Sequence, residues 1–268
     1  MRGKFHVDCL DAAIQADLLR REHLVAAAKE LAERESRLTA QEALSAENLR
    51  LRKDVDDLRR ELGDRPRFAL REENALQTDY SALAAGRQMV VVGNLPYQIA
   101  APLLFRFLEA RTAIRRIVIM MQREVATRLL ARPDTEDYSA LGAQVQLLAT
   151  VRRVCHVGRG GFLPAPRVDS TVVLLEPFPA AATAVPVLDL GCYAQVVRAA
   201  FGQRRKTLRN ALATLPAELL GPRAMDAIIG SGIDLSRRGE TLTVREFAQL
   251  ADAIAAARES TSPVGLES

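Results

Sequence analysis

Hydrophobic and polar positions follow two different rhythms along this chain of 268 residues. From about Asp11 to Leu62 leucines recur in sevens. Leu24, Leu31 and Leu38 form one set; after a six-residue step, Leu44, Leu51 and Leu58 form another, with Val55 and Leu62 between. No Pro or Gly interrupts this stretch, and Ala, Leu, Glu, Arg and Lys dominate it, all strong helix formers. The pattern predicts an amphipathic helix or a short coiled coil, on the order of 70 Å long at 1.5 Å per residue. Such a helix overhangs an ordinary domain, so it is expected to pair with a copy of itself as a homodimer or to fold back as a hairpin. Gly63-Asp64-Arg65-Pro66 ends it with a C-cap glycine and a proline.

Beyond Pro66 the rhythm changes. Arg67 to Arg71 alternates like a short strand, and Met89-Val90-Val91-Val92 is a β-branched run of the kind buried in a parallel sheet. Gly93-Asn94-Leu95-Pro96-Tyr97 follows at once. Residues 100–110 read as a helix, Arg116 to Met121 as a second buried strand, and Glu124 to Ala131 as the start of a second helix. Strand, loop, helix, strand, helix is the grammar of an α/β sheet with crossover helices. Ligands in such sheets sit at the carboxyl ends of the strands, where Asn94 to Tyr97 stand.

Charge sharpens the division. The chain carries 37 Lys and Arg against 33 Asp and Glu, a formal net charge of +4. Residues 1–65 hold 13 basic and 14 acidic residues (net −1), so the remainder, 24 against 19, carries +5. A near-neutral first segment argues against a nucleic-acid arm and leaves a packing, dimerisation or partner-binding element. A hydrophobic content of 49% and a charged content of 26% exclude a wholly disordered or collagen-like chain. No apolar run approaches the roughly 18 to 20 residues of a membrane span, and no basic-then-apolar leader opens the sequence. A cytoplasmic protein without membrane contact is the expectation. Cys155 and Cys192 read as small buried hydrophobes, and His6, His23 and His156 lack partners at ligand spacing, so no metal is implied. The tail from Glu259 to Pro263 is polar and is expected to be disordered.

Asn94-Leu95-Pro96-Tyr97 carries the candidate chemistry. An Asn side chain offers both an acceptor and a donor, and the carbonyl before a proline is held in an extended direction. Together they can grip an exocyclic amino group with two acceptors while Tyr97 stacks on its ring. An amine held this way is placed for attack on an electrophile by orientation alone. The alternative is a strand-to-helix turn in which Asn94 caps the helix and Tyr97 packs in the core.

Several further motifs follow in order. They include Met121-Gln122-Arg123-Glu124-Val125-Ala126, Asp137-Tyr138-Ser139-Ala140-Leu141 and the long run from Gly161-Phe162-Leu163-Pro164 to Arg167-Val168-Asp169-Ser170-Thr171. Ala200-Phe201-Gly202-Gln203-Arg204-Arg205-Lys206-Thr207-Leu208-Arg209-Asn210, Gly232-Ile233-Asp234 and Arg238-Gly239-Glu240-Thr241-Leu242 complete the set. With the clamp residues, these resemble the small-subunit ribosomal RNA adenine N6,N6-dimethyltransferases over about residues 66–247. The resemblance implies that Asn94, Leu95, Pro96 and Tyr97 hold the flipped target adenine and that Phe162 stacks on its other side. It also implies a helical C-terminal domain in which Arg204, Arg205, Lys206 and Arg209 engage small-subunit rRNA or a ribosomal subunit precursor. Between Asp189 and Glu218 there are five basic residues and no acidic one; taken alone, such a patch is more often a solvated helix face than an RNA site.

The resemblance implies S-adenosylmethionine as methyl donor. In the family the donor rests on a Gly-rich turn after the first strand, because glycine lets backbone approach a ligand closely. No Gly-x-Gly occurs in residues 1–92. Only the stretch that holds the donor's adenine is matched, as Glu72-Glu73-Asn74-Ala75-Leu76, which makes Asn74, Ala75 and Asn94 the cofactor-binding candidates. The expected architecture is therefore α/β: an incomplete Rossmann-like methyltransferase sheet in residues 66–180, a small helical domain in 181–268, and a long helix or coiled coil in 1–65. A sheet without its leading strands leaves an apolar edge and face to be covered. The expected activity is rRNA adenine dimethylation; the alternative is a non-catalytic rRNA- or ribosome-binding relative whose N-terminal helix serves assembly.

Overall fold

A computed structural model describes residues 49–50, 52–61, 63, 69–96, 98–162, 165–179, 182–220 and 223–259. The chain divides into two units, residues 1–72 and 73–268.

In the first unit, residues 52–61 form helix α1, with 49 and 50 also helical. Arg59 pairs with Asp56 one turn earlier at 3.4 Å and with Glu72 at 2.9 Å, and Arg60 pairs with Asp57. The N–H of Gly63 donates to the Arg59 carbonyl at 2.9 Å, closing the helix where the sequence places its cap. Leu49 and Leu58 are exposed. Most of the leucine heptads lie outside the described residues. The expected strand over 67–71 is not formed in its described part: residues 69–71 carry no strand, because Ala69 and Arg71 are exposed and Leu70 alone is half-buried. Such a segment has no apolar face with which to join a sheet.

In the second unit, helix α2 (Tyr80–Ala84) leads into a four-stranded sheet. Its strands are β1 (Met89–Asn94), β2 (Ile114–Gln122), β3 (Ala149–Val157) and β4 (Ser170–Pro177), in spatial order β1-β2-β4-β3. β1 and β2 are parallel, joined by α3 (Ala100–Glu109); β4 runs antiparallel to both of its neighbours. Helices α4 (Arg123–Leu130) and α5 (Ala140–Leu148) follow β2. Leu103, Leu104, Phe107 and Leu108 of α3 pack on Ile117, Ile119 and Met121 of β2 in the sheet core, the helical and strand periods each presenting one apolar face.

β1 is an edge strand among the described residues. Its inward positions are half-buried, but Val90 and Val92, on the other face, are 47% and 75% exposed. A continuous valine run marks a strand suited to cover on both faces, and among the described residues one face of β1 is left open, as expected of an incomplete sheet. β3 is not legible from alternation, since Arg152-Arg153 interrupts it. Its outer positions face solvent, and for that reason Cys155 is exposed and not buried as expected. Cys192 does behave as a small core residue: its thiol donates to the Ala251 carbonyl at 3.4 Å, and burial pushes its pKa up to about 11.

The C-terminal part is helical: α6 (Leu190–Gly202), α7 (Leu208–Leu212), α8 (Ala224–Gly230) and α9 (Val244–Glu259). Asp189 caps α6 by accepting the N–H groups of Gly191 and Cys192 at 2.7 and 3.0 Å. Thr243 and Glu246 form a reciprocal capping box at the start of α9: the Thr243 N–H donates to Glu246 at 2.8 Å and the Glu246 N–H to the Thr243 hydroxyl at 3.2 Å. α5 belongs to both cores, with Val145 facing the sheet cluster and Ala143 and Leu147 facing the helical one. Gly142 lets α5 lie against α4, where a Cβ would collide with the Arg128 carbonyl.

Candidate functional site

The register of the sheet gathers the candidate residues at one end. Asn94 closes β1 opposite Met120, Gln122 closes β2 opposite Ser170, and Ser170 opens β4 opposite Val157, the last residue of β3. The loop after β1, the start of α4 and the loop between β3 and β4 therefore share one rim.

The first loop is pinned by its backbone. The N–H of Leu95 donates to the Met120 carbonyl at 3.2 Å, its side chain is buried, and the Pro96 carbonyl accepts the Ile99 N–H at 3.1 Å. Among the described residues no donor reaches the Leu95 carbonyl, and the Asn94 side chain is exposed without a protein partner. Two acceptors thus remain open beside each other, as a clamp for an amino group requires. The capping alternative does not hold, because the N-cap of α3 is Ile99 and no side chain caps it. Tyr97 lies outside the described residues.

Phe162 is half-buried at the end of a short 3₁₀ turn, Arg159–Gly161, at the same rim. The turn is anchored from below: the Arg159 N–H donates to the Asp169 carboxylate at 3.1 Å, and the Asp169 carbonyl accepts the Arg123 N–H at 3.0 Å. Asp169 so ties the wall that carries Phe162 to the first residue of α4.

The donor candidates Asn74 and Ala75 sit in a turn held against α3. Arg106 on α3 donates to the carbonyls of Leu76 at 3.1 Å and Thr78 at 3.3 Å. Tyr80 donates to the Ala75 carbonyl at 2.7 Å and packs edge-on against Phe107, ring centres 5.0 Å apart. The Asn74 side-chain oxygen accepts the Leu76 N–H at 3.0 Å, which leaves it a second lone pair. No protein acceptor takes the Ala75 N–H among the described residues. An acceptor beside a donor matches the amine and ring nitrogen of an adenine edge, so these residues fit that end of the donor. A glycine turn for its other end does not lie among the described residues.

The basic cluster divides in two. The Arg204 guanidinium is taken up within the protein, donating to Glu240 at 3.1 Å and to the carbonyls of Glu136 at 2.8 Å and Tyr138 at 3.4 Å. Arg205 and Lys206 are exposed on the turn between α6 and α7, and Arg209 opens onto a separate recess lined by Ile229, Asp234 and Ser236. Arg106 holds the Asn74–Ala75 turn against α3 and Asp169 ties the Phe162 wall to α4, two contacts that the sequence alone does not show. Asp169 stands in the run from Gly161 to Thr171 with nothing local to give it a role, and Arg106 reads as an ordinary helix-surface arginine.

Comparison with known proteins places this arrangement. The family model described as ribosomal RNA adenine dimethylase matches residues 25–256. Ribosomal RNA small subunit methyltransferase A of an Anaeromyxobacter strain is 42% identical over 228 residues, 80% of this chain and 77% of that protein. The protein of the same name from Alkaliphilus oremlandii is 37% identical over 202 residues, 74% and 70% of the two chains. The crystal structure of a dimethyladenosine transferase from Plasmodium falciparum superposes with a TM-score of 0.56 at 26% identity, covering 67% of this chain and 70% of that one. The 23S rRNA methyltransferase ErmE shares the fold at a TM-score of 0.52 and 21% identity, over 76% and 78% of the chains. The chain belongs to the ribosomal RNA adenine dimethylase family. The family match extends beyond 66–247 at both ends and begins inside the leucine-rich stretch.

Proposed function

We propose that this chain transfers methyl groups from S-adenosylmethionine to N6 of adenines in small-subunit rRNA. The observation that carries the reading is the pair of open acceptors at the end of β1, the Asn94 side chain and the Leu95 carbonyl, within a member of this family. They accept the two N–H groups of the target amine, which turns its lone pair away from the ring and toward the electrophile. Tyr97 and Phe162 stack on the two faces of the base. Bound S-adenosylmethionine supplies the electrophilic sulfonium methyl group. Asn74 and Ala75 hold its adenine, and the proton released from the methylated nitrogen passes to water, since the ammonium formed is strongly acidic and needs no protein base. Arg205, Lys206 and Arg209 contact rRNA phosphates, and Arg204 acts by fixing the turn that carries its two neighbours.

The absence of Gly-x-Gly before Gly93 favours a second reading, an rRNA-binding relative without methyl transfer. Incubation of full-length protein with unmethylated small ribosomal subunits and methyl-labelled donor separates them. Label in adenine that disappears in Asn94→Ala supports catalysis. Tight subunit binding without label, and without calorimetric donor binding, supports the second reading. Pairing of two copies through the leucine heptads is tested by sedimentation of full-length chain against chain starting at residue 49. No helix among the described residues is long and apolar enough to cross a membrane.

A further inference from the structure

Leu76 joins two features of the Asn74–Ala75 turn through its backbone. Its N–H donates to the Asn74 side-chain oxygen at 3.0 Å, and its carbonyl accepts Nε of Arg106 at 3.1 Å. The first bond fixes the Asn74 amide with one oxygen lone pair to spare; turning the amide over to offer its NH2 breaks that bond. The second bond fixes Leu76 itself.

Arg106 is fixed in its turn. Its Nη2 donates to the Thr78 carbonyl at 3.3 Å, and its Nη1 donates to Glu109, one turn along α3, at 2.5 Å. A guanidinium is a planar, rigid fork, so its two backbone bonds hold the Leu76 and Thr78 carbonyls at one separation. Thr78 is buried and Leu76 packs on the sheet core. The turn also closes on itself, because the Asn74 carbonyl accepts the Gln77 and Thr78 N–H groups at 2.8 and 3.2 Å. A line of bonds therefore runs from α3 through Arg106 and Leu76 to the Asn74 side chain. α3 starts just beyond the proposed clamp loop, about 9 Å from Arg106 along the helix axis at 1.5 Å per residue. Clamp loop and donor turn thus share one rigid reference.

We infer that Arg106 is a positioning residue that makes the donor site selective for an adenine over a 6-oxopurine. The inference rests on the reading that Asn74 and Ala75 hold the donor's adenine, and it assigns the discrimination to a side chain acting through Leu76. An adenine brings an amine donor and a ring-nitrogen acceptor to the Asn74 oxygen and the Ala75 N–H. A 6-oxopurine brings the reverse, a carbonyl and a ring N–H, so that acceptor meets acceptor and donor meets donor. A rigid turn rejects that edge, whereas a loose turn lets the Asn74 amide rotate and admits it.

The test is calorimetric titration of S-adenosylhomocysteine, and of its deaminated analogue S-inosylhomocysteine, into full-length protein. Wild type is expected to prefer the adenosyl ligand by about 100-fold, the effect of two mismatched polar contacts. Arg106→Gln is expected to bind the adenosyl ligand about tenfold more weakly and the inosyl ligand almost unchanged, which narrows the preference to about tenfold. Arg106→Lys keeps the stem and the charge but not the fork, and is expected to fall between, at about 30-fold. It carries the test if circular dichroism shows the Gln variant unfolded. Arg115→Gln, an exposed site on β2, is expected to keep the wild-type preference. A residue that only stabilises the fold lowers both affinities together. Equal weakening of the two ligands, or a wild-type preference in either folded Arg106 variant, therefore overturns the inference and leaves the donor reading standing. Wild type that binds neither ligand, or both equally, overturns the donor reading and the inference with it.

Discussion

The Arg159 N–H and the Asp169 carboxylate meet at 3.1 Å across ten residues of chain, and that bond fixes the short turn from which Phe162 projects. Asp169→Ala removes the acceptor and lets the turn drift. Removing one hydrogen bond to an exposed charged group costs about 1 kcal/mol of stability, but misplacing an aromatic wall costs more in rate than in folding. Methyl transfer is expected to fall by about 10- to 100-fold, with a small change in melting temperature. Asp169→Asn, which keeps an acceptor, should recover most of the loss; single-turnover kinetics on small subunits checks both.

Asn94→Ala deletes one of the two open acceptors without touching the Leu95–Met120 bond that holds the loop. An orienting contact to the reacting amine is worth about 10²- to 10³-fold in rate when removed. The expected result is a fall in kcat of that order, with RNA affinity and thermal stability near wild type. A loss confined to KM would assign Asn94 to binding alone.

Arg204 and Arg205 stand side by side in sequence but differ in what they touch. Arg204→Gln breaks its bonds to Glu240, Glu136 and Tyr138 and is expected to cost about 1 kcal/mol in urea unfolding. Arg205→Gln is expected to leave stability unchanged and to lower the salt slope of RNA binding by about 0.7. Equal effects from the two variants would contradict the division.

Acid should unpick the start of α9. Burial alone raises the Glu246 carboxyl, but the bonds from Arg237 and from the Thr243 N–H and hydroxyl outweigh it, and the pKa lies below the ordinary glutamate value. A carboxylate whose folded pKa is depressed contributes stability above its unfolded value and loses it as pH falls through the folded one. The urea midpoint is therefore expected to lose the Glu246 contribution below about pH 4.3. In Glu246→Gln that acid-side decline shrinks, while the midpoint at pH 7 already starts lower.

The sequence exposed the parts of this fold that depend on local pattern. β1, α3, β2 and α4 lie where Met89–Val92, residues 100–110, Arg116–Met121 and Glu124–Ala131 place them, because apolar period and secondary-structure period coincide there. β3 escaped detection, since an edge strand with a solvated face tolerates Arg152-Arg153. Arg67–Arg71 alternates like a strand, yet its described part, residues 69–71, forms none, which shows that period without burial does not make one. The proposed clamp, Asn94 to Tyr97, is contiguous in sequence, so a local pattern is enough to nominate it. The anchoring of the Phe162 wall could not: Arg123, Arg159 and Asp169 come from separate segments, and only the folded sheet brings them together.

α5 joins the sheet core to the helical core through residues on opposite faces of a single nine-residue helix. A shared wall turns two structures into one ruler. Because Val145 is locked into one side and Ala143 and Leu147 into the other, the span from the adenine clamp to the α6–α7 turn cannot stretch without opening both cores. Under the proposed function, a substrate then presents its adenine at a set distance from the surface that the turn is proposed to engage. Selectivity among adenines would follow from the shape of the folded RNA as much as from the bases around the target.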